Sequence, residues 1–202
     1  METTQKGYRR APFLWSLAMT SILGVGAASG ENLTSALTPS TVFSQVGIGD
    51  QQTQAYLVGA TWDWAWQRQV GPGSVSGYFE GAFGRWTTHD NGIRSSAWPT
   101  QVSVTPVLRF HPDAPVNPWF AELGVGANYI VPVFHSGHKR FSTEFNFGDH
   151  VALGRQFGSE RRHELSLRLE HFSNAGIAHP NPGENFVQVR YAYRLQKLGV
   201  AR

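Results

Sequence analysis

Residues 165–181, which read LSLRLEHFSNAGIAHPN, decide how this chain folds. Three leucines at alternate positions from Leu165 to Leu169 are separated by polar residues, the period-two pattern of a β-strand with one apolar face. The same parity continues to His171 and Ser173. An imidazole and a hydroxyl therefore follow the leucines on one face, and the function depends on which solvent that face meets.

The composition favours strands over helices. The 202 residues include 22 Gly and 11 Pro, with 13% aromatic and 15% charged residues, which indicates one domain rich in turns and strands. The net charge of +3 is spread along the chain without a basic run, so the sequence does not indicate a nucleic-acid partner. The chain has no cysteine, which excludes a disulfide framework and a thiolate metal site.

The N-terminus has the pattern of an export signal. Basic residues precede an apolar run over residues 11–25, and small residues follow over 26–30. The run is shorter than the roughly 20 residues of a membrane-spanning helix and is broken by glycine, so the pattern predicts a Sec-type signal peptide over residues 1–29. The exported domain is then residues 30–202, which must be periplasmic, secreted or an outer-membrane barrel.

Alternating patterns predict an all-β fold, an eight-stranded antiparallel up-and-down transmembrane β-barrel. The strand lengths are close to the roughly 9 to 11 residues that a tilted strand needs to cross a membrane. Apolar bands with aromatic ends on one face, and Gly, polar and charged residues on the other, favour a membrane barrel over a soluble barrel or sandwich. The inward parity also predicts charge pairs inside the barrel among Arg109, Glu80, Glu122 and Glu144.

The predicted topology places His171 and Ser173 at the outer rim. If both ends of the exported domain lie in the periplasm, strand seven runs outward, and its apolar parity faces lipid. Polar groups facing acyl chains are costly, so a function is expected for them. A His and a Ser two residues apart on a strand have Cα atoms about 6.6 Å apart, near enough for a base and its nucleophile.

Residues 171–176, HFSNAG, and 181–183, NPG, resemble the signature of the lipid A 3-O-deacylase (PagL) family. The resemblance implies an outer-membrane serine esterase that hydrolyses the 3-O-linked acyl ester of lipid A, with no metal and no organic cofactor. It implies lipopolysaccharide as the substrate and outer-membrane lipid as the surroundings, and it leaves a homodimer open.

The resemblance also implies roles for individual residues. Ser173 is the nucleophile, and His171 is the base that takes its proton. Asn174 and the backbone N–H of Gly176 are the candidates for the oxyanion hole. Asn181 is expected to orient the loop or the substrate.

The sequence offers two candidates for the partner of the histidine. The family pattern has a Glu at the position that is Asn185 here, while Glu184 stands one residue earlier. On a regular strand one residue changes the face. Either a bulge brings Glu184 to His171, or Asn185 orients the imidazole as an amide. The loop-to-strand junction, where parity is loose, favours Glu184 as the third catalytic residue.

Two other classes of function compete with this interpretation. One is a non-enzymatic outer-membrane barrel, adhesin-like or structural, although the predicted loops are short. The other is a different outer-membrane lipid hydrolase or acyltransferase, against which the His-x-Ser-Asn order argues.

His135 and His138 have a spacing found at metal sites but no accompanying acid or thiol, which favours ordinary loop histidines. Lys139 and Arg140 either contact lipid A phosphates or are ordinary rim charges without a specific partner.

Overall fold

The computed structural model describes residues 37–90, 93–94, 98–112, 117–137 and 139–195. The predicted export signal lies outside these ranges. Within them, eight long strands form the closed antiparallel barrel that the sequence predicts, and no helix has the length and hydropathy of a membrane span. The strands are β1 (Thr41–Gly49), β2 (Gln54–Val70), β3 (Gly73–Thr87), β4 (Thr100–Pro112), β5 (Trp119–Val131), β6 (Phe145–Phe157), β7 (His163–Ser173) and β8 (Glu184–Arg194).

Each strand pairs with the next one along the chain, and β1 pairs with β8 to close the barrel. This is the up-and-down order, in which every backbone ladder is satisfied and no sheet edge remains. The register is regular except in β2, where it shifts between Asp63 and Gln67.

The two faces of β7 show how the barrel is oriented toward its surroundings. Leu165, Leu167 and Leu169 are 49%, 54% and 52% exposed on the outer wall. The residues between them, such as Ser166 and Arg168, are buried in the lumen. An apolar outer wall around a polar lumen is the arrangement of a membrane barrel, because lipid takes the place of a protein core.

The connections identify the outer end of the barrel. At the end that holds the start of β1 and the end of β8, short turns over residues 71–72 and 158–162 join the strands. At the other end, two connections carry small hairpins, His89–Asp90 with Ile93–Arg94 and His135–Ser136 with Lys139–Arg140. Because outer-membrane barrels have short periplasmic turns and longer outer loops, the hairpins mark the outer end.

Ion pairs cross the lumen, as the sequence predicts for most of its inward-facing charges. Arg109 bonds Glu122 at 2.7 Å and Glu164 at 2.9 Å. Glu80 accepts from Arg168 at 2.8 Å and lies 3.2 Å from Arg190. The prediction for Glu144 is wrong, because this residue lies in the connection before β6 and accepts a hydrogen bond from the exposed Tyr129 hydroxyl.

The outer end of the lumen is apolar, which the sequence analysis did not predict. Trp86 is fully buried there, with the rings of Phe134, Phe172 and Phe186 4.8 to 5.1 Å from its own. Phe141 packs against Phe134 at 5.0 Å. We call these five residues the aromatic plug. It fills the barrel directly inside the wall that carries His171.

Candidate active site

His171 and Ser173 lie at the outer end of β7 on the lipid-facing wall. His171 pairs with Asp149 on β6 and with Asn185 on β8. Ser173 pairs with Phe147 on β6. Both side chains are half-buried, and both face the same side of the strand as the leucines that precede them. The structure therefore places the two residues on the face and at the end of the barrel that the sequence pattern indicates.

The His171 imidazole is held from two sides. Its Nδ1 lies 2.7 Å from Oδ1 of Asn185. Because an amide oxygen only accepts, this bond assigns the proton to Nδ1 and leaves Nε2 as the acceptor. On the other side is Gly183, where a Cβ would be 2.7 Å from Cε1 of the ring and 3.3 Å from Nε2. The ring is thus oriented as a general base requires.

Glu184 does not reach His171, which corrects the expectation that a bulge would bring it there. The β7–β8 register is regular to its end, with Phe172 opposite Glu184 and His171 opposite Asn185. Glu184 is consequently on the inner face and fully buried. Its Oε2 accepts a hydrogen bond from Lys139 at 3.1 Å. The contact with the imidazole belongs to Asn185, the alternative that the sequence left open.

The Ser173 hydroxyl is available for chemistry. It makes no hydrogen bond with any residue that the structure describes. Residues two apart on a strand have Cα atoms about 6.6 Å apart on one face, so a rotation about χ1 is enough to bring Oγ toward Nε2 of His171. Hydrogen bonds between catalytic groups are often open before substrate binds.

The two residues expected to form the oxyanion hole instead build the loop after β7. Asn174 is buried, and its Nδ2 donates to Ser142 Oγ and to the Ala178 carbonyl, both at 2.9 Å. Its Oδ1 accepts from the Gly176 N–H at 2.9 Å. Its own backbone N–H donates to Oδ1 of Asn181 at 3.1 Å, so Asn181 orients the loop as expected. The expected donors are therefore already engaged.

Ala175 offers a different donor beside Ser173. It is exposed and has a left-handed backbone with φ of +53°. The N–H groups of Asn174, Gly176 and Ile177 are all bonded within the loop. Among the residues that the structure describes, the Ala175 N–H has no partner. It is an unengaged backbone donor two residues after Ser173, and nothing in the sequence distinguishes it.

A groove of about 530 Å³ runs along the outer wall next to His171. Asp50, Asp149 and Asn185 lie at its polar end. Five aliphatic side chains also line it, one from each of β1, β5, β6, β7 and β8: Ile48, Leu123, Val151, Leu169 and Val187. The groove therefore combines an apolar floor with the one imidazole of β7 that faces it.

Lys139 connects the outer loops behind the site. Its ammonium forms an ion pair with Asp50 and lies 3.1 Å from both the Glu184 carboxylate and the Gly183 carbonyl. The bond from Lys139 holds the pKa of Asp50 below its usual value. Burial lowers the pKa of Lys139, but its two carboxylate partners more than offset this and raise it. Lys139 is therefore engaged within the protein, not offered to phosphates at the rim.

Comparisons with known proteins agree with this geometry. Residues 54–194 match the sequence profile of the family described as lipid A 3-O-deacylase (PagL). This chain belongs to the lipid A 3-O-deacylase family. Lipid A deacylase PagL of Pseudomonas aeruginosa is 30% identical over 149 residues, which cover 70% of this chain and 79% of that protein. The corresponding protein of Bordetella bronchiseptica is 38% identical over 107 residues, 52% of this chain and 55% of that protein.

A solved structure shows the same fold. The crystal structure of the outer membrane enzyme PagL superposes with a TM-score of 0.65 and 24% identity, covering 77% of this chain and 99% of that one. As a member of the lipid A 3-O-deacylase family with this closed barrel, the chain is an outer-membrane protein.

Several features of this family member were not apparent from its sequence. Asp50 and Lys139 are far from the motif in sequence, yet both lie behind the imidazole.

Within the described residues, no group of three or more His, Cys, Asp or Glu could hold a metal ion. His138, half of the histidine pair considered for a metal, lies outside those residues.

Proposed function

We propose that this chain hydrolyses the 3-O-linked acyl ester of lipid A, with Ser173 as nucleophile, His171 as general base and Asn185 as the residue that orients the imidazole. The observation that carries the proposal is the 2.7 Å contact between Asn185 Oδ1 and His171 Nδ1 on a lipid-facing wall. This contact keeps the proton on Nδ1, so Nε2 is free to act as a base toward the Ser173 hydroxyl. Both groups face the outer leaflet, whose lipids carry acyl esters.

In the first half of the reaction, Ser173 Oγ attacks the ester carbonyl while Nε2 of His171 takes the hydroxyl proton. The carbonyl oxygen becomes an oxyanion, and the free N–H of Ala175 is the donor that we assign to it. The intermediate collapses when the bond to the sugar oxygen breaks. Nε2 then gives its proton to that oxygen, which leaves the 3-hydroxyl of the glucosamine and an acyl-Ser173.

In the second half, a water molecule replaces the sugar. Nε2 takes a proton from this water as its oxygen attacks the acyl carbon, and the proton passes to Ser173 Oγ as the ester breaks. The free fatty acid leaves and the hydroxyl is restored. Asn185 is neutral. It therefore orients the imidazolium through a hydrogen bond but does not place a full negative charge beside it.

The groove beside His171 explains why a membrane lipid is the substrate class. Its aliphatic lining suits an acyl chain, and its polar end suits the ester and sugar. Transfer of an acyl chain between bilayer and groove exchanges one apolar contact for another, so the site selects by the position of the ester rather than by hydrophobicity.

The test compares the wild-type chain with Ser173→Ala and His171→Asn in an outer membrane that contains acylated lipid A. Mass spectrometry of lipid A should show loss of one 3-linked acyl chain with the wild type. Each variant should remain a heat-modifiable barrel and lose at least about 10³-fold in rate, since nucleophile and base act as a unit.

Ser159→Ala is the matched control, because Ser159 is an exposed serine in the turn at the periplasmic end. It should deacylate lipid A at the wild-type rate. Unchanged lipid A in cells that hold folded wild-type protein would contradict the proposal. Release of fatty acid from phospholipid alone would assign the chain to another class of lipid hydrolase.

A further inference from the structure

The Asn185 carboxamide lies between two groups, and its two ends differ. Oδ1 faces His171 Nδ1 at 2.7 Å, and Nδ2 faces Asp50 Oδ2 at 3.4 Å. A carboxamide can turn over and exchange its oxygen with its NH₂ group, so the partner at the far end determines which one meets the imidazole. A carboxylate only accepts hydrogen bonds, and Asp50 is therefore a partner for Nδ2 and not for Oδ1.

Asp50 is itself held in place. It begins the short 3₁₀ turn Asp50–Gln52 between β1 and β2, in which the backbone of Gln51 has a φ of +52°. Lys139, from the small hairpin between β5 and β6, forms an ion pair with its carboxylate. The same ammonium bonds the Gly183 carbonyl at 3.1 Å, next to the imidazole. Three outer connections thus fix the carboxylate at the far end of the amide.

We propose that Asp50 is a positioning residue for the deacylation reaction, acting on His171 through the orientation of Asn185. The proposal rests on the function proposed above. Without Asp50 the amide is free to turn its NH₂ group toward the imidazole. Nδ1 would then have to accept, the proton would move to Nε2, and this tautomer cannot take the proton of Ser173.

Asp149 is the other carboxylate that faces His171. It lies opposite the imidazole on β6, at the polar end of the groove. It makes no hydrogen bond with a described residue, in contrast to Asp50. In the described part of the chain, Asn185 bonds the carboxylate of Asp50, Asp50 pairs with Lys139, and Lys139 also pairs with Glu184. Asp149 is therefore the rival to be tested beside Asp50.

The experiment is a double-mutant cycle on the full chain in vesicles that contain lipopolysaccharide, with kcat and KM followed by release of fatty acid. Asp50→Ala should lower kcat about 10- to 100-fold with little change in KM, less than the roughly 10⁴-fold cost of a wholly wrong tautomer. Asn185→Glu supplies a carboxylate that accepts from Nδ1 in either orientation. In that background, Asp50→Ala should cost nothing or raise kcat, because it removes a like charge.

Asp63→Ala is the control, since Asp63 is an exposed carboxylate that pairs with Arg194 at the other end of the barrel. An unchanged kcat in Asp50→Ala overturns the proposal, as does an equal loss in both backgrounds, which would mean that Asp50 does not act through Asn185. A loss with Asp149→Asn but none with Asp50→Ala assigns the role to Asp149 instead. An inactive wild type, or an active Ser173→Ala, would contradict the proposed function and not this inference.

Discussion

At the scale of single residues, Gly183 leaves room for the imidazole of His171 near Cε1 and Nε2. Its φ is +67°, and a Cβ would come within 2.7 Å of the His171 ring. Gly183→Ala should therefore displace the ring, and a shift of about 1 Å at a catalytic group costs on the order of 10²-fold in rate. The measurement is kcat for lipid A deacylation by the folded variant.

Gly71→Ala separates this effect from backbone strain. Gly71 has a similar φ of +57° in the turn between β2 and β3, but nothing lies within 4 Å of the added Cβ. Both variants should lose about 1–2 kcal/mol of stability through the left-handed backbone. Equal activities of the two variants would show that Gly183 does not position the ring.

The sequence narrowed the partner of His171 to Glu184 or Asn185 but could not decide between them. A regular register places position 185, not 184, opposite position 171, and the strand does remain regular to its end. The sequence could not show this, because bulges are common where loops enter strands and a Glu is a better hydrogen-bond acceptor than an Asn. The face that carries His171 and Ser173, in contrast, followed from parity, and their position at the outer end followed from the predicted topology.

At the scale of elements, the loop between β7 and β8 is built around Asn174. Its side chain makes three hydrogen bonds, to Ser142, Ala178 and Gly176. Asn174→Ala should reduce stability by about 1–3 kcal/mol, because it leaves partly buried partners unsatisfied. It should also speed amide hydrogen exchange over residues 174–183.

Ser142→Ala provides the graded comparison for this loop. It removes only one of the three bonds, so its effect on exchange should be the smaller of the two. If exchange in Asn174→Ala matches the wild type while deacylation falls, Asn174 contacts the substrate directly and our structural role for it is wrong.

The strands were predictable because their outward positions contact lipid and their inward positions face the lumen, so apolar and polar residues alternate along the sequence. The leucines at alternate positions of β7, from Leu165 to Leu169, face outward as the pattern predicts. The small outer hairpins have only two residues per strand and leave no such pattern. The aromatic plug does leave a signal, since Trp86, Phe172 and Phe186 occupy inward positions of their strands. The interior of a membrane barrel is typically polar, so the pattern gives no reason to expect rings there.

At the scale of the whole molecule, Glu80 joins strands from opposite parts of the sequence. It meets Arg168 of β7 and Arg190 of β8 across the lumen, and all three side chains are buried. Glu80→Gln would remove the carboxylate that forms an ion pair with each of these two buried guanidinium groups. The free energy of unfolding should fall by about 3–5 kcal/mol, measured by urea titration of the barrel in vesicles.

Asp63→Asn breaks an exposed pair with Arg194 and is the comparison for buried charge. It should cost no more than about 1 kcal/mol, because water screens exposed ion pairs. Similar losses in Asp63→Asn and Glu80→Gln would mean that the lumen is hydrated enough to screen its charges.

The aromatic plug and the ion pairs beneath it bear on how the bacterium can use this protein. Five packed rings fill the outer mouth, and guanidinium and carboxylate groups occupy the lumen below. The proposed active site is on the outside of the cylinder, so the inside need not admit water or solutes. Many copies can therefore sit in one membrane without opening a path for solutes through their interiors.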